Sequence, residues 1–247
     1  MALPASGVLS LDDIQTEFGG TNPIGMSEYY RGGSFVTDNN TSVPTSGEIS
    51  VSDFYSTVKA KTVIYEVIGG GGGGAGGGIS AGDGSAGTSS SLSGSGFTTI
   101  TSTGGSGGTA NRGFPFPDGS SPGDDSFYGA GGAGGTNSSG AQNVTDGQAP
   151  AATHYGAGGG SGGTQFQTGT SGYGGGESTR QNGTLYLVSG TVITVTIGGA
   201  GSGGTPGTDN DFNPLSSGGA GAGGYAKFTV DGVDQEFTSS GTYTVPA

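Results

Sequence analysis

The sequence VIGGGGGGAGGG, residues 67–78, runs from a strand-like segment into ten residues of which nine are glycine. Such a run is typical of a flexible linker, because Gly-rich chains resist ordering. Glycine makes up 61 of the 247 residues, and apolar residues make up only 29%. A conventional side-chain core cannot fill a body of this size. The run is therefore either a linker or part of a fold whose segments pack through their backbones.

Gly-Gly-x runs recur along the chain, which favours the second interpretation. They lie at 69–78, 104–109, 131–136, 159–164, 198–204 and 218–224. A Gly-Gly-x triplet matches an extended helix with three residues per turn, which has no internal hydrogen bonds and leaves every amide free to bond to a neighbour. The runs are similar in length, aromatic residues lie between them, and strand-like segments enclose them. We therefore predict an ordered polyglycine-II-like lattice.

Segments rich in β-branched and aromatic residues predict about six strands around these runs. We expect a hairpin across Ser189-Gly190 and another across Asp231-Gly232. The predicted fold class is mainly β with extensive polyglycine-II-like or irregular glycine-rich structure, together with a small N-terminal region of short helices. The strand segments are 63–68, 185–187, 192–197, 225–230, 235–238 and 242–245.

The first 58 residues differ in composition from the rest and contain a repeat. LSLDDI at 9–14 matches ISVSDF at 49–54, each after Pro-x-Ser-Gly, and IGMSEY at 24–29 is a looser copy. A Ser followed three residues later by Asp approximates a capping box, so each copy predicts a short helix of two or three turns. Helices this short need packing partners. We expect two domains, 1–58 and 59–247, the first being either a docking module or a cap on the second.

Composition and motifs argue against several kinds of function. A formal net charge of −13 with six Lys and Arg residues disfavours nucleic-acid binding. There is no apolar run of membrane-spanning length. His154 is the single histidine, and the pairs Asp124-Asp125 and Asp209-Asn210-Asp211 lack calcium-loop spacing. We predict no catalytic residues, no cofactor and no metal site, hence a protein that is not an enzyme.

Several motifs resemble those of phage proteins. LPASGVLSLDDIQTEFGGTNPIGMSEYYRGG resembles the N-terminal signature of virion proteins of tailed phages, notably marine and cyanobacterial ones. VIYEVIGGGGGGAGGG, SGTVITVTIGGAGSGG, GGAGAGGYAKFTV and EFTSSGTYTVP are similar to the glycine-rich domain of phage tail and fibre proteins. In such domains the last motif usually precedes the glycine run, whereas here it ends the chain. We therefore expect the last strand to pair with 62–68 and close the domain, within one chain or between subunits.

The resemblance implies a non-enzymatic virion structural protein of the tail or fibre apparatus that contributes to host attachment. Its partners would be other virion proteins, copies of itself, and a host cell-surface glycan or protein, with no nucleic acid and no membrane insertion. One alternative is a capsid decoration or head-fibre protein, and a second is a non-viral ice-binding or silk-like polyglycine protein. Candidates for virion docking are Leu11, Ile14, Phe18, Tyr29, Tyr30, Arg31, Val51, Phe54 and Tyr55. Candidates for receptor contact are Phe114, Phe116, Phe127, Tyr128, His154, Tyr155, Phe166 and Tyr173.

Overall fold

The computed structural model describes residues 2–78, 80–110, 146–162, 173–208 and 215–246. This part of the chain contains one α-helix, two single-turn 3₁₀ helices and eight strands. The helix is α1 (Leu11–Phe18), and the 3₁₀ helices are Met26–Tyr29 and Val51–Phe54. The strands are β1 (Ala60–Ile68), β2 (Ser90–Gly94), β3 (Ile100–Ser102), β4 (Arg180–Val188), β5 (Val192–Thr196), β6 (Tyr225–Val230), β7 (Val233–Phe237) and β8 (Gly241–Thr244).

The strands form two antiparallel four-stranded sheets, which confirms the mainly β class. The first sheet has the order β4-β1-β6-β7 and the second has the order β3-β2-β5-β8. Their inner faces pack on one another through a shared apolar cluster that includes Val67, Leu92, Ile193 and Phe228. Tyr243 of β8 stacks on Phe228 of β6, with ring centroids 4.7 Å apart. The sheets therefore make a small β-sandwich, closed by side chains from both layers.

Two predicted strand pairings are wrong. The segments expected to form a hairpin across Ser189-Gly190 lie in different sheets, because β4 pairs with β1 whereas β5 pairs with β2 and β8. Within one chain the last strand, expected on 62–68, pairs instead with β5. The turn at 189–190 is real, but it carries the chain from one layer to the other. Turn residues identify where a chain reverses and do not specify which strand it then joins.

The N-terminal 58 residues have an apolar cluster of their own, which shares no residue with the sandwich cluster. Ile14, Phe18, Tyr29 and Phe54 are its largest members, and each is 0% exposed. The ring of Phe54 meets those of Phe18 and Tyr29 edge to face, at centroid distances of 6.0 and 6.1 Å. These aromatic contacts compensate for the shortness of the helices, of which only α1 reaches the predicted two turns.

Candidate functional site

Glycine-rich segments continue directly from the strands and form a bundle. The segment at 69–78, here called the central segment, follows β1 and is buried at every residue. Six segments surround it and are here called the outer segments. They are 82–88, 104–109, 156–162, 173–179, 198–207 and 216–224.

The central segment bonds to all six outer segments, and its partners change with a period of three. The amides of residues 70, 73 and 76 donate to segment 82–88, those of 71, 74 and 77 to segment 216–224, and those of 72 and 75 to segment 173–179. Its carbonyls accept, with the same period of three, from the other three outer segments, 104–109, 156–162 and 198–207. Each outer segment also bonds to both of its neighbours, so the six form a closed ring. Backbone hydrogen bonds thus replace a side-chain core here.

The glycines of the central segment leave no room for side chains. A Cβ atom built on any of Gly70, Gly71, Gly72, Gly73, Gly74 and Gly76 would lie between 1.8 and 2.1 Å from a carbonyl oxygen of an outer segment. Those oxygens belong to backbone and cannot move aside as a flexible side chain would. The glycine content of residues 69–78 is therefore a packing requirement. Ala75, which is 0% exposed, is the one central position that carries a methyl group.

The outer segments alternate in direction around the central one. Hydrogen-bond partners ascend with the central segment in 104–109, 156–162 and 198–207, and descend in 82–88, 173–179 and 216–224. The two ends of the bundle differ in what they adjoin. The strands join one end, and the other, here called the far end, lies beside Gly78. The described residues that border the ranges 111–145, 163–172 and 209–214 lie at the far end; they are Ala110, Asp146, Gly162, Tyr173, Thr208 and Leu215.

Five of the receptor-contact candidates, Phe114, Phe116, Phe127, Tyr128 and Phe166, lie outside the described residues. Of the other three, Tyr173 lies at the far end and is 48% exposed. His154 and Tyr155 lie at the strand end, where both are half-buried. The Tyr155 ring stacks on Tyr225, the first residue of β6, at 4.5 Å. The sequence candidates that can be placed are therefore split between opposite ends of the bundle.

The repeat at the N-terminus produces matching local structure. Ser10 caps α1: its hydroxyl accepts from the Asp13 amide, and its own amide donates to the Asp13 carboxylate at 2.8 Å. Ser50 and Asp53 repeat the second bond at 2.8 Å. The Ser10 hydrogen bonds hold the pKa of Asp13 below its ordinary value. The predicted capping box is complete at Ser10, and at Ser50 its carboxylate bond is present; both depend only on residues three apart.

Tyrosine hydroxyls hold the two Pro-x-Ser-Gly turns. The Tyr55 hydroxyl donates to the Gly7 carbonyl, and the Tyr30 hydroxyl donates to the corresponding Gly47 carbonyl. Both glycines have positive φ, 102° and 88°, a conformation that suits glycine. Each turn is therefore fastened by a side chain from another copy of the repeat.

The docking candidates divide into two groups by burial. Ile14, Phe18, Tyr29 and Phe54 are fully buried, so assigning them to a contact surface is corrected: they form the core of the N-terminal region. Burial also raises the pKa of Tyr29, with a smaller contribution from Glu28. The sequence did not separate buried from half-buried candidates, because a helix of one turn is too short to show which residues face inward. The half-buried candidates, which keep exposed surface, are Leu11, Tyr30, Arg31, Val51 and Tyr55.

The outer face of the first sheet carries a feature that the sequence did not indicate. Glu66 of β1 is 7% exposed and forms an ion pair with Arg180 of β4. The neighbouring Lys227 of β6 pairs with Asp234 at 3.5 Å. Glu66, Arg180 and Lys227 line a shallow depression of about 370 Å³. Cross-strand charge pairs of this kind fix strand register, and nothing in the sequence pattern identified the partners.

Within the described ranges, no three His, Cys, Asp or Glu residues are grouped so that they could hold a metal ion. No helix in that same part of the chain is long and apolar enough to span a membrane. Comparison with protein-family models, with curated proteins and with solved structures gave no match to this chain.

Proposed function

We propose that this chain is a non-enzymatic structural protein of a phage virion, part of the tail or its fibres, that contributes to attachment to the host surface. The observation that carries the proposal is the placement of the glycine bundle: the strands join one end, and the chain leaves and re-enters the described residues at the other. The N-terminal region enters through β1 on the strand side. Such an arrangement suits a scaffold that holds a binding end away from its point of attachment.

The rigidity of this scaffold rests on the glycine segments, which we assign as polyglycine-II helices. The three-residue period of the hydrogen-bond partners supports this assignment, since such a helix has three residues per turn. At about 3.1 Å per residue, the ten central residues span roughly 31 Å. Every amide from 70 to 77 donates to a neighbouring segment. A bundle bonded in this way resists bending more than a Gly-rich linker, which behaves as a random coil.

The docking half of the proposal uses the exposed surface of the N-terminal region. Leu11 and Val51 occupy equivalent positions of the repeat and are both half-buried. Tyr30 and Tyr55 border the two Pro-x-Ser-Gly turns and are likewise partly exposed. A surface made of repeated elements presents similar groups more than once, which suits contact with a symmetric assembly. The partners in this half are other virion proteins.

The attachment half places host contact at the far end of the bundle. Tyr173 is exposed there, and the chain leaves and re-enters the described structure there around 111–145, 163–172 and 209–214. These ranges contain most of the aromatic candidates, and aromatic side chains contribute large contact areas in recognition surfaces. The proposed ligand is a host-surface glycan or protein.

Two experiments test the proposal. Removal of residues 1–58 should leave a body that no longer incorporates into particles, with Val51→Ala as a milder variant that keeps the fold. Normal incorporation of the truncated chain would refute the docking assignment. Immunogold labelling of intact virions with an antibody against the body should place gold at the tail. Gold over the head would instead support a capsid decoration or head-fibre protein, and absence of gold with a competent antibody would refute the virion assignment.

One observation favours a second candidate function, binding to ice. Outer segments present exposed hydroxyl residues at three-residue intervals, namely Thr103, Ser106 and Thr109 on one segment and Ser202 and Thr205 on another. Two of these hydroxyls are also engaged within the fold, since Ser202 contacts the Ser85 hydroxyl at 3.0 Å and Thr103 contacts the Thr179 hydroxyl at 3.1 Å. Thermal hysteresis of the purified chain tests this function directly. Hysteresis lost on Ser106→Tyr would establish it, and none at any concentration would exclude it.

A further inference from the structure

In the part of the chain that the structure describes, the first sheet has one edge strand, β4, that is neither short nor rich in charge. β4 covers nine residues, Arg180–Val188, and among the described residues it pairs only with β1. It contains no proline and a single charged residue, Arg180, at its first position. Edge strands of stable monomers are usually short, charged, bulged or covered, because their free amides and carbonyls can pair with another strand. β4 is neither short nor rich in charged residues.

The other sheet edges of the described structure are protected. β7, at the opposite edge of the first sheet, contains Asp234 and Glu236. If two copies of β7 paired in antiparallel register about Gln235, Asp234 of each copy would lie opposite Glu236 of the other. Like charges directly opposite are destabilising. The edges of the second sheet, β3 and β8, have only three and four residues.

Exposed apolar side chains accompany the unprotected edge. Tyr186 and Val188 of β4 are 37% and 41% exposed, and Ile64 on the adjoining strand is 53% exposed. All three lie on the outer face of the first sheet, since Tyr186 is opposite Thr62 and Val188 is opposite Ala60 in the β1 register. A partner strand laid against β4 would cover part of this apolar strip as well as satisfy the backbone groups.

We propose that β4 is a homodimer interface, at which a second copy of this chain pairs β4 with β4 in antiparallel register about Thr184. Full overlap of the nine residues would place Thr184 opposite itself and each Arg180 opposite a Val188. The two arginines would then lie roughly 27 Å apart at about 3.4 Å per residue. A second copy fits better than a strongly charged partner because the strand is uncharged from residue 181 to 188. The pairing would join two four-stranded sheets into one of eight strands.

Charge at the two-fold position tests this interface. Thr184 is exposed, so Thr184→Lys leaves the monomer fold intact, yet it places two ammonium groups opposite each other in the dimer. We expect the dissociation constant from sedimentation equilibrium to rise by about threefold or more. Thr62→Lys is the matched control, because Thr62 is exposed on the interior strand β1 and should leave the constant unchanged.

Complementary variants give the sharper result. Thr184→Lys mixed with Thr184→Asp should restore dimerisation beyond that of either variant alone, since opposite charges would then meet. A chain that is monomeric at all accessible concentrations would overturn the proposal. A dimer that responds equally to Thr184→Lys and Thr62→Lys, or whose β4 amides exchange with deuterium as fast in the dimer as in the monomer, would overturn it as well.

Discussion

Replacement of Gly72 by alanine gives the most direct test of packing in the bundle. A Cβ atom at this position would lie 1.8 Å from the carbonyl oxygen of Ser106, whereas ordinary contacts begin at 3.4 Å. The two segments would have to separate by about 1.5 Å, taking an ordinary contact distance as the target. Gly72 also donates to the Gly176 carbonyl and accepts from the Gly159 amide, so the shift would strain bonds to two further segments.

The expected loss follows from these contacts. Overpacking of a tight interior costs about 1–3 kcal/mol. Each of two weakened hydrogen bonds adds roughly 0.5–1.5 kcal/mol. We therefore expect Gly72→Ala to lower the free energy of unfolding by about 3 kcal/mol, which corresponds to a fall in Tm of roughly 6–12 °C for a chain of this size.

The assay is thermal and urea unfolding followed by far-UV circular dichroism, with Gly199→Ala as the matched control. Gly199 belongs to an outer segment, and a Cβ atom there would meet only the Thr88 side chain, at 3.8 Å. Its replacement should change stability by less than about 1 kcal/mol, in either direction. If Gly72→Ala were no more destabilising than Gly199→Ala, the close-packed bundle would be wrong.

Three further predictions concern the N-terminal region and the sandwich. Phe54→Ala should cost about 3–5 kcal/mol, because the ring is fully buried in the N-terminal cluster; urea unfolding measures it, and a loss no larger than that of half-buried Val51→Ala would contradict this placement. The pKa of Asp13 is held below its ordinary value of 3.8, so its stabilising effect is present above 3.8 and lost as pH falls through the folded value. The Tm difference between wild type and Asp13→Asn should therefore narrow on acidification, and a difference independent of pH would contradict the capping role. Gly232→Ala should cost about 1 kcal/mol through its φ of 79° alone, since no atom lies near its Cβ position; a stabilised variant in thermal unfolding would contradict the turn geometry.

Local features of this protein follow from the sequence. The capping box at Ser10 and Asp13 depends on residues three apart. The Asp231-Gly232 turn was predicted and joins β6 to β7, with positive φ at both residues. Both can be predicted because the interacting groups are close in the chain.

Features that depend on distant residues could not be predicted in the same way. β2, with the sequence SSLSG, was not predicted as a strand, because Leu92 is its only apolar residue in the sandwich core and gives no alternating pattern. The assignment of β4 and β5 to different sheets depends on pairings with strands more than 90 residues away. The pattern of the helical turns likewise did not reveal that Phe54 and Tyr29 face inward. These outcomes are determined by tertiary packing, which overrides local preference.

The composition of the glycine runs indicated order, but it left open which segment would be central. Residues 69–78 occupy that position because six other segments can approach their backbone on all sides. Only a run with almost no side chains can meet this requirement. The longest glycine run in the chain is therefore also the one most enclosed by protein.

Hydrogen exchange of the glycine amides shows whether the glycine runs are the ordered scaffold of this protein. The amides of residues 70–77 are buried and bonded to outer segments, so we expect them to exchange only on global unfolding and to be the most protected of the described residues. The amide of Gly223, exposed at the edge of the bundle, serves as the internal reference for faster exchange. Exchange of residues 70–77 at random-coil rates would contradict the scaffold, and with it the separation of docking and attachment ends on which the proposed function rests.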